Sequence, residues 1–375
     1  MAEQDVLQLV LASSSAAVIM AWLPWRALQP WLIALCGAGL LAMASPTSLA
    51  LLAVASVVTF VLQRRGLLTR YVLLVSVTII AGAYLLLLAR SEHSSTSLTL
   101  RVVLPLGMAF YALRLIHYLL EAYKGHLRPH TLGEYLSYHF LPATLPAGPI
   151  HRFDDYLRDL RRKRWDSDRF SYGGQRILYG LVKLVVLGNY LIGEELTPLL
   201  AGASGHPLLH QYLSVLLFWA RLYVLFSGYS DIAVGFGALM GLRIRENFNW
   251  PIVARNIADF WQRWHITLAG WCREYVYAPV VSVTRRPFLA VMASMIVLGI
   301  WHDLSLHYLL WGAYHGAGIA GFRWFDARAG ESIAALPPLP AALWRVFACV
   351  ITLHFVLFSF WVTRAVERVL IPGAG

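Results

Sequence analysis

Charge is what this sequence has little of: only 14% of its 375 residues are Asp, Glu, Lys or Arg, against 58% hydrophobic. Soluble domains carry about 25% charged residues, so a water-soluble globular protein is excluded. Cysteine is scarce too. Cys36, Cys272 and Cys349 are an odd number set among apolar or aromatic neighbours, without the CxxC spacing of a metal or redox pair, and read as small core residues. Long polar linkers are missing, since apolar stretches recur from Val6 almost to the C-terminus. One membrane domain over residues 1–375 is the economical expectation. No internal repeat of about 20 to 50 residues stands out, which argues against a transporter built from symmetric halves. A GxSxG elbow, a GxxxxGK[ST] phosphate loop and a GxGxxG turn after a strand are all absent, which removes the usual signatures of a serine hydrolase and of nucleotide cradles.

What is present is a series of apolar runs. A bilayer core needs about 20 apolar residues per helix. Spans are expected near 6–23, 31–44, 47–62, 71–89, 99–120, 174–200, 208–240, 287–301, 306–325 and 340–370. The expected fold class is all-α, a polytopic membrane protein of about ten transmembrane helices with re-entrant or amphipathic helices besides. The net charge of +11 comes from Arg and Lys in short loops, not along one helix face, so nucleic acid is not the expected partner. Positive-inside topology accounts for it instead. Arg64, Arg65 and Arg70 lie in one basic loop and Lys124 to Arg128 in another, two spans apart, which places both in the cytoplasm and the N-terminus outside.

Leu132 to Ile150 is apolar but broken by Pro142, Pro146, Gly148 and Pro149, with basic sequence on both sides. It reads either as a re-entrant hairpin facing a wet cavity or as an interfacial loop. Residues 151–169 are the most charged stretch, expected as a solvated loop or a surface helix near anionic lipid.

Polar groups inside a bilayer are expensive, and each is a candidate site. They concentrate between Ser227 and His315. Asp231 ends the run Ser227-Gly228-Tyr229-Ser230-Asp231, and either pairs with Arg243 or Arg245 or takes part in a site. Gly235, Gly237 and Gly241 follow at spacings that permit close helix approach. A turn at Asn247-Phe248-Asn249-Trp250-Pro251 precedes a helix that Asn256 is placed to cap. In that helix Asp259 and Arg263 are four apart and can pair, and Ile257, Trp261, Trp264, His265 and Leu268 share one face. His265 there is either a core histidine or a site histidine. His302 ends the apolar run Val291 to Trp301, and a second helix is expected from near Ser305, carrying His315. An imidazole at such a position can take a proton from a hydroxyl and return it to a leaving group. No HExxH or CxxC accompanies these histidines, so no metal is expected.

Taken in order, Ala147-Gly148-Pro149-Ile150 with Arg152, Gly228-Tyr229-Ser230-Asp231, Glu246 to Pro251, Asp259 to Ile266, Arg273-Glu274-Tyr275-Val276-Tyr277, Gly299-Ile300-Trp301-His302 and Trp311 to Gly316 resemble the membrane-bound O-acyltransferases. The branch most similar holds the alginate O-acetyltransferase membrane subunit and the membrane transferase of teichoic acid D-alanylation. The resemblance covers about 104–316. It implies polar helices around a central tunnel, with His302 as the catalytic histidine and His265 as the second important one. His315, Asp303, Asp231, Tyr229, Asn249, Trp264 and Arg263 become candidates for the substrate path.

It further implies a bacterial inner-membrane enzyme that moves an acyl group, foremost acetyl, from a cytoplasmic thioester, acyl-CoA (acetyl-CoA) or an acyl carrier protein, with no bound cofactor. The acceptor would be a hydroxyl of an exported glycan, reached directly or through an extracytoplasmic partner protein. D-alanyl transfer from a carrier protein and a non-catalytic conduit for acyl groups or glycan are the alternatives. Two departures stand out: Asp303 occupies the place where the family usually has Gly, and Val281 to Arg286 replaces the usual Gly-rich loop. The Asp303 charge is expected to pair with the His302 imidazole or to raise its pKa.

Overall fold

The computed structural model describes residues 3–93, 107–200 and 205–370. Among them there is no strand, and the chain is an all-α polytopic membrane protein. Among the described residues six helices are long and apolar enough to cross a bilayer by length and composition, and two further apolar helices, Gln29–Ala44 and Pro287–His302, are shorter. The expected spans correspond to helices within a few residues, with the 174–200 run starting earlier at Ser167 and the 306–325 run continuing to Ala334. Part of the expected span at 99–120 lies outside the described residues; its described portion is Met108–Tyr123. That described portion is 16 residues long and carries Arg114, His117 and Glu121.

The chain divides into two compact units. The first comprises residues 1–184 and 226–245. It contains α1 (Glu3–Ala21), α2 (Gln29–Ala44), α3 (Pro46–Arg64), α4 (Arg70–His93), α5 (Met108–Tyr123), α6 (Leu132–His139), α7 (Phe153–Arg162) and α8 (Ser167–Leu181), with the C-terminal part of α9 (Pro207–Leu239). Its core joins Val10, Leu40, Leu41, Leu52, Leu115, Phe140 and Leu145. Leu132 to Ile150 is not loop throughout: helix α6, a 3-10 turn at Pro142–Thr144 and irregular backbone follow one another, almost all buried. Burial in protein is the condition under which irregular backbone is tolerated in a membrane protein. Thr131 and Glu134 form a capping box at the start of α6, and Arg161 of α7 grips Glu134 with Nε at 2.6 Å and Nη2 at 2.8 Å. The charged stretch after Ile150 is thus a two-faced helix, with Phe153, Tyr156, Leu157 and Leu160 buried.

Gly235 meets the expectation of close helix approach: a Cβ there would lie 2.7 Å from the Gly173 carbonyl of α8. Gly241 does something else, taking φ +79° just beyond the end of α9.

The second unit comprises residues 185–225 and 246–375. It contains the N-terminal part of α9, then α10 (Ile257–Arg263), α11 (Ile266–Cys272), α12 (Ala278–Thr284), α13 (Pro287–His302), α14 (Leu306–Ala334) and α15 (Pro338–Leu370). Asn256 caps α10 as expected, its side chain accepting the Asp259 N–H at 2.7 Å. The helix anticipated through Leu268 is interrupted, however. Trp264 is extended and His265 sits at φ 43° and ψ 51°, so α10 and α11 are separate helices and the single face expected for Trp261, Trp264, His265 and Leu268 does not exist.

Candidate active site

The break at His265 is built from an earlier loop. A non-glycine residue in the left-handed region costs about 1–3 kcal/mol and persists only where its surroundings over-determine it. Asn247, fully buried, supplies that constraint: its carbonyl accepts the Ile266 N–H at 2.9 Å, and its side-chain oxygen accepts the Thr267 hydroxyl at 2.6 Å. On the other side of the break the Asn249 N–H donates to the Arg263 carbonyl at 2.9 Å. Arg263 is further braced by Asp259 at 2.6 Å and by the Asn249 carbonyl at 3.1 Å. These contacts fix the backbone so that the His265 ring is buried, 2% exposed, with its centroid 5.8 Å from that of Trp301.

Close packing of α13 on α14 places His302. A Cβ on Gly299 would lie 2.2 Å from the Tyr308 carbonyl, and one on Gly312 would lie 2.4 Å from the Met295 carbonyl. Small residues at these two positions let the backbones touch. Helix α13 ends at His302 because Asp303 is extended, and Ser305 caps α14 by accepting the Tyr308 N–H. His302 is left half-buried among rings: Trp301 at 4.8 Å, Tyr308 stacked at 5.6 Å with a 23° interplanar angle, and Trp311 edge-on at 5.5 Å. No hydrogen bond holds either His302 nitrogen among the described residues. His265 lies within electrostatic reach of it, with Trp301 touching both imidazoles. The expected pairing with Asp303 is not made: Asp303 is buried, and among the described residues no ion pair joins it to His302.

His315, 1% exposed, is fixed to α15 through Nε2 and the Ser359 hydroxyl at 3.1 Å. The single Ser359 proton goes to the Val356 carbonyl at 2.6 Å, so His315 Nε2 must be the donor in that bond and Nδ1 carries the lone pair. Its ring touches Trp311 at 4.5 Å and Trp261 at 5.4 Å, so the His302 ring, the Trp311 ring and the His315 ring form a continuous series. Trp264 is stacked between Phe260 and Trp219.

The remaining candidates divide. Asn249 is exposed and acts through its backbone, while Asn247, Thr267, Trp301, Trp311 and Ser359 do the positioning without having been singled out. The turn that contains Asn247 was legible as a unit; which of its two asparagines is buried was not. Tyr229 and Asp231 belong to the other unit. The expected partners of Asp231, Arg243 and Arg245, are wrong. Arg176 of α8 and Lys183, two residues beyond its end, hold its two oxygens, Lys183 at 2.6 Å, while the Arg243 N–H serves Asp159 and the Arg245 side chain serves Asp155. Helix periodicity brings α8 within reach of Asp231; nearness in sequence suggested the wrong arginines.

Beside α11 lies a cavity of about 400 Å³ lined by Trp261, Cys272, Ser294 and Met295, with Arg273 and Arg323 among its walls. Neither His265 nor His302 lines it. Among the described residues no group of His, Cys, Asp and Glu is arranged to hold a metal ion.

Comparison with known proteins agrees with this architecture. The chain is 32% identical over 263 residues to the probable alginate O-acetylase of Pseudomonas aeruginosa, a match covering 68% of this chain and 49% of that protein. It is 28% identical to the teichoic acid D-alanyltransferase of Bacillus subtilis, over 68% of each. To the peptidoglycan O-acetyltransferase of Helicobacter pylori it is 27% identical, over 71% of this chain and 55% of that one. The chain therefore spans about half the length of the alginate O-acetylases it matches. The family model for membrane-bound O-acyltransferases matches residues 40–361, a range that includes every residue of the His302 and His265 settings, and the chain belongs to that family.

Proposed function

We propose that this protein is an O-acyltransferase that moves an acyl group, foremost acetyl, from a thioester donor to a hydroxyl of an exported cell-envelope polymer. The observation that carries the reading is the His302 imidazole, half-buried in an aromatic shell at the end of α13, with no hydrogen bond among the described residues to occupy its nitrogens. A neutral imidazole there is a general base: it takes the proton of the acceptor hydroxyl as that oxygen attacks the thioester carbonyl, and returns it to the departing thiolate. His265, held by Asn247, is the positioning and charge-stabilising partner for the oxyanion that forms. His315, Asp303, Trp264 and Arg263 are proposed to shape the path around the two histidines, with Asn249 contributing only the backbone bond that braces Arg263. Arg273 and Arg323 give the adjacent cavity the charge that suits a phosphate-bearing donor such as acyl-CoA or a carrier protein's prosthetic arm.

The enzyme would work as one domain in a bacterial inner membrane, N-terminus outward, with an extracytoplasmic partner or the polymer itself as acceptor. Similarity to the D-alanyltransferase over 68% of both chains favours carrier-borne D-alanine as the second donor to test. The test supplies membranes containing the protein with labelled acetyl-CoA, then with labelled acyl carrier protein, and follows label into exported polymer. Label from acetyl-CoA supports acetyl transfer; label from the carrier alone moves the assignment to D-alanyl or other carrier-borne groups; label from neither, in membranes holding folded protein and acceptor, overturns the reading.

A further inference from the structure

A second polar cluster, in the first unit, takes no part in the chemistry above. Arg114 of α5 is completely buried, 0% exposed. Its Nη1 donates to the Tyr138 carbonyl at 3.3 Å and to the Thr144 hydroxyl at 3.1 Å. Its Nε and Nη2, which share one edge of the guanidinium, are buried and have no hydrogen-bond partner among the described residues. No carboxylate forms an ion pair with Arg114 among the described residues. The charges that reach the neighbouring His139 are those of Arg114, His151 and His117, and those that reach His151 are Arg114, His117 and Arg245, all cations or groups that become cations.

The histidines are orphaned in the same way. His139, 0% exposed, has neither ring nitrogen hydrogen-bonded among the described residues. His151, 2% exposed, points Nδ1 at the Pro149 carbonyl 3.3 Å away and leaves Nε2 buried without a partner among the described residues. Tyr138 ties the group together, with ring centroids 4.8 Å from His139 and 4.7 Å from His151 and the Arg114 guanidinium over its face at 6.0 Å.

A guanidinium cannot shed its proton inside a protein, so burial leaves a full positive charge whose desolvation demands compensation. The free edge is the one from which arginine makes two parallel hydrogen bonds to a carboxylate or phosphate. A nearby imidazole adds a donor: neutral His139 can turn its one N–H toward an anion, whereas His151, whose Nδ1–H serves the Pro149 carbonyl, donates from Nε2 only as an imidazolium. We propose that Arg114, His139 and His151 form an anion site, occupied by a small planar carboxylate held on the Nε–Nη2 edge of Arg114. Phosphate is the competing oxyanion, and buried water with no anion is the competing account of the orphaned atoms.

The test measures thermal unfolding of the purified full-length protein in detergent at fixed ionic strength, titrating sodium acetate, inorganic phosphate or chloride. A ligand that binds only the folded state raises stability as its concentration passes the dissociation constant. The expected result is a saturable upward shift with acetate, with apparent affinity about tenfold weaker in Arg114→Lys, which keeps the charge but loses the fork, and no shift in Arg114→Gln. Should Arg114→Gln fail to fold, His139→Phe replaces it, with the same loss expected. Equal acetate shifts in wild type and all variants, or none in wild type, overturn the proposal. A shift with phosphate but not acetate overturns the carboxylate assignment. Transfer activity is not a readout here, so the outcome does not depend on the role of His302.

Discussion

Each of the two units is stabilised internally by a different kind of contact. Nearly all of the ion pairs seen among the described residues lie in the first unit: Glu134 with Arg161, Asp155 with Arg158 and Arg245, Asp231 with Arg176 and Lys183. The second unit shows the Asp259–Arg263 pair and relies otherwise on interlocked rings, from Trp219, Trp264 and Phe260 to His302, Trp311 and His315. Charges placed near His302 or His265 would fix the protonation state of both imidazoles. An aromatic shell leaves that choice to the substrate, which is what a general base needs. The charged unit is a scaffold, and the aromatic unit is where the chemistry is proposed to occur.

The sharpest way to break this comparison is to remove the base. His302→Ala is expected to cut transfer by about 10²- to 10⁴-fold, the usual span for a positioned acid or base, with protein level and melting midpoint little changed. The opposite pattern belongs to Asp231→Ala in the scaffold. It strands the Arg176 and Lys183 charges, and breaking a buried pair costs about 3–5 kcal/mol; because Lys183 is partly exposed, about half of that is expected as a fall in unfolding free energy. Chemical denaturation in matched detergent checks it.

Asn247→Ala tests the joint between structure and chemistry. Losing the bond to Thr267 should cost about 1–3 kcal/mol and lower turnover as well, because the His265 backbone loses its constraint. Asn249→Ala, whose side chain is exposed, should do neither. Measuring melting and transfer on both variants separates the two asparagines.

The smallest effect is a pH dependence in the scaffold. Burial, with Arg26 nearby, lowers the Lys163 ammonium from 10.5 to about 8. Between those values the folded chain holds fewer protons than the unfolded one, so stability should rise as pH increases through about 8 to about 10. Lys163→Met should flatten that part of the melting profile; an unchanged slope would contradict the assignment.

Much of the scaffold was legible from hydropathy, because a run of apolar residues has few other fates in a bilayer: the helix Pro207–Leu239 lies within a residue of the expected 208–240 at both ends. Local chemistry was legible too, as in the Asn256 cap, the Asp259–Arg263 pair and the Ser305 start of α14. The break at His265 was not. No Gly or Pro marks it, and the residue that imposes it, Asn247, comes from a different loop. The partners of Asp231 escaped for the same reason, since they sit on a helix distant in sequence. His302 and His265 were picked out by their resemblance to a family, and the physical setting of each emerges only from the packing of α13 on α14 and the Asn247 clamp.

The most direct test of the account compares label transfer from the active thioester donor in membranes containing equal amounts of wild-type protein, His302→Ala and Asn249→Ala. The account predicts transfer in wild type and Asn249→Ala and near-background transfer in His302→Ala. Undiminished transfer in folded His302→Ala would contradict it, and would move the chemistry away from the aromatic shell of the second unit.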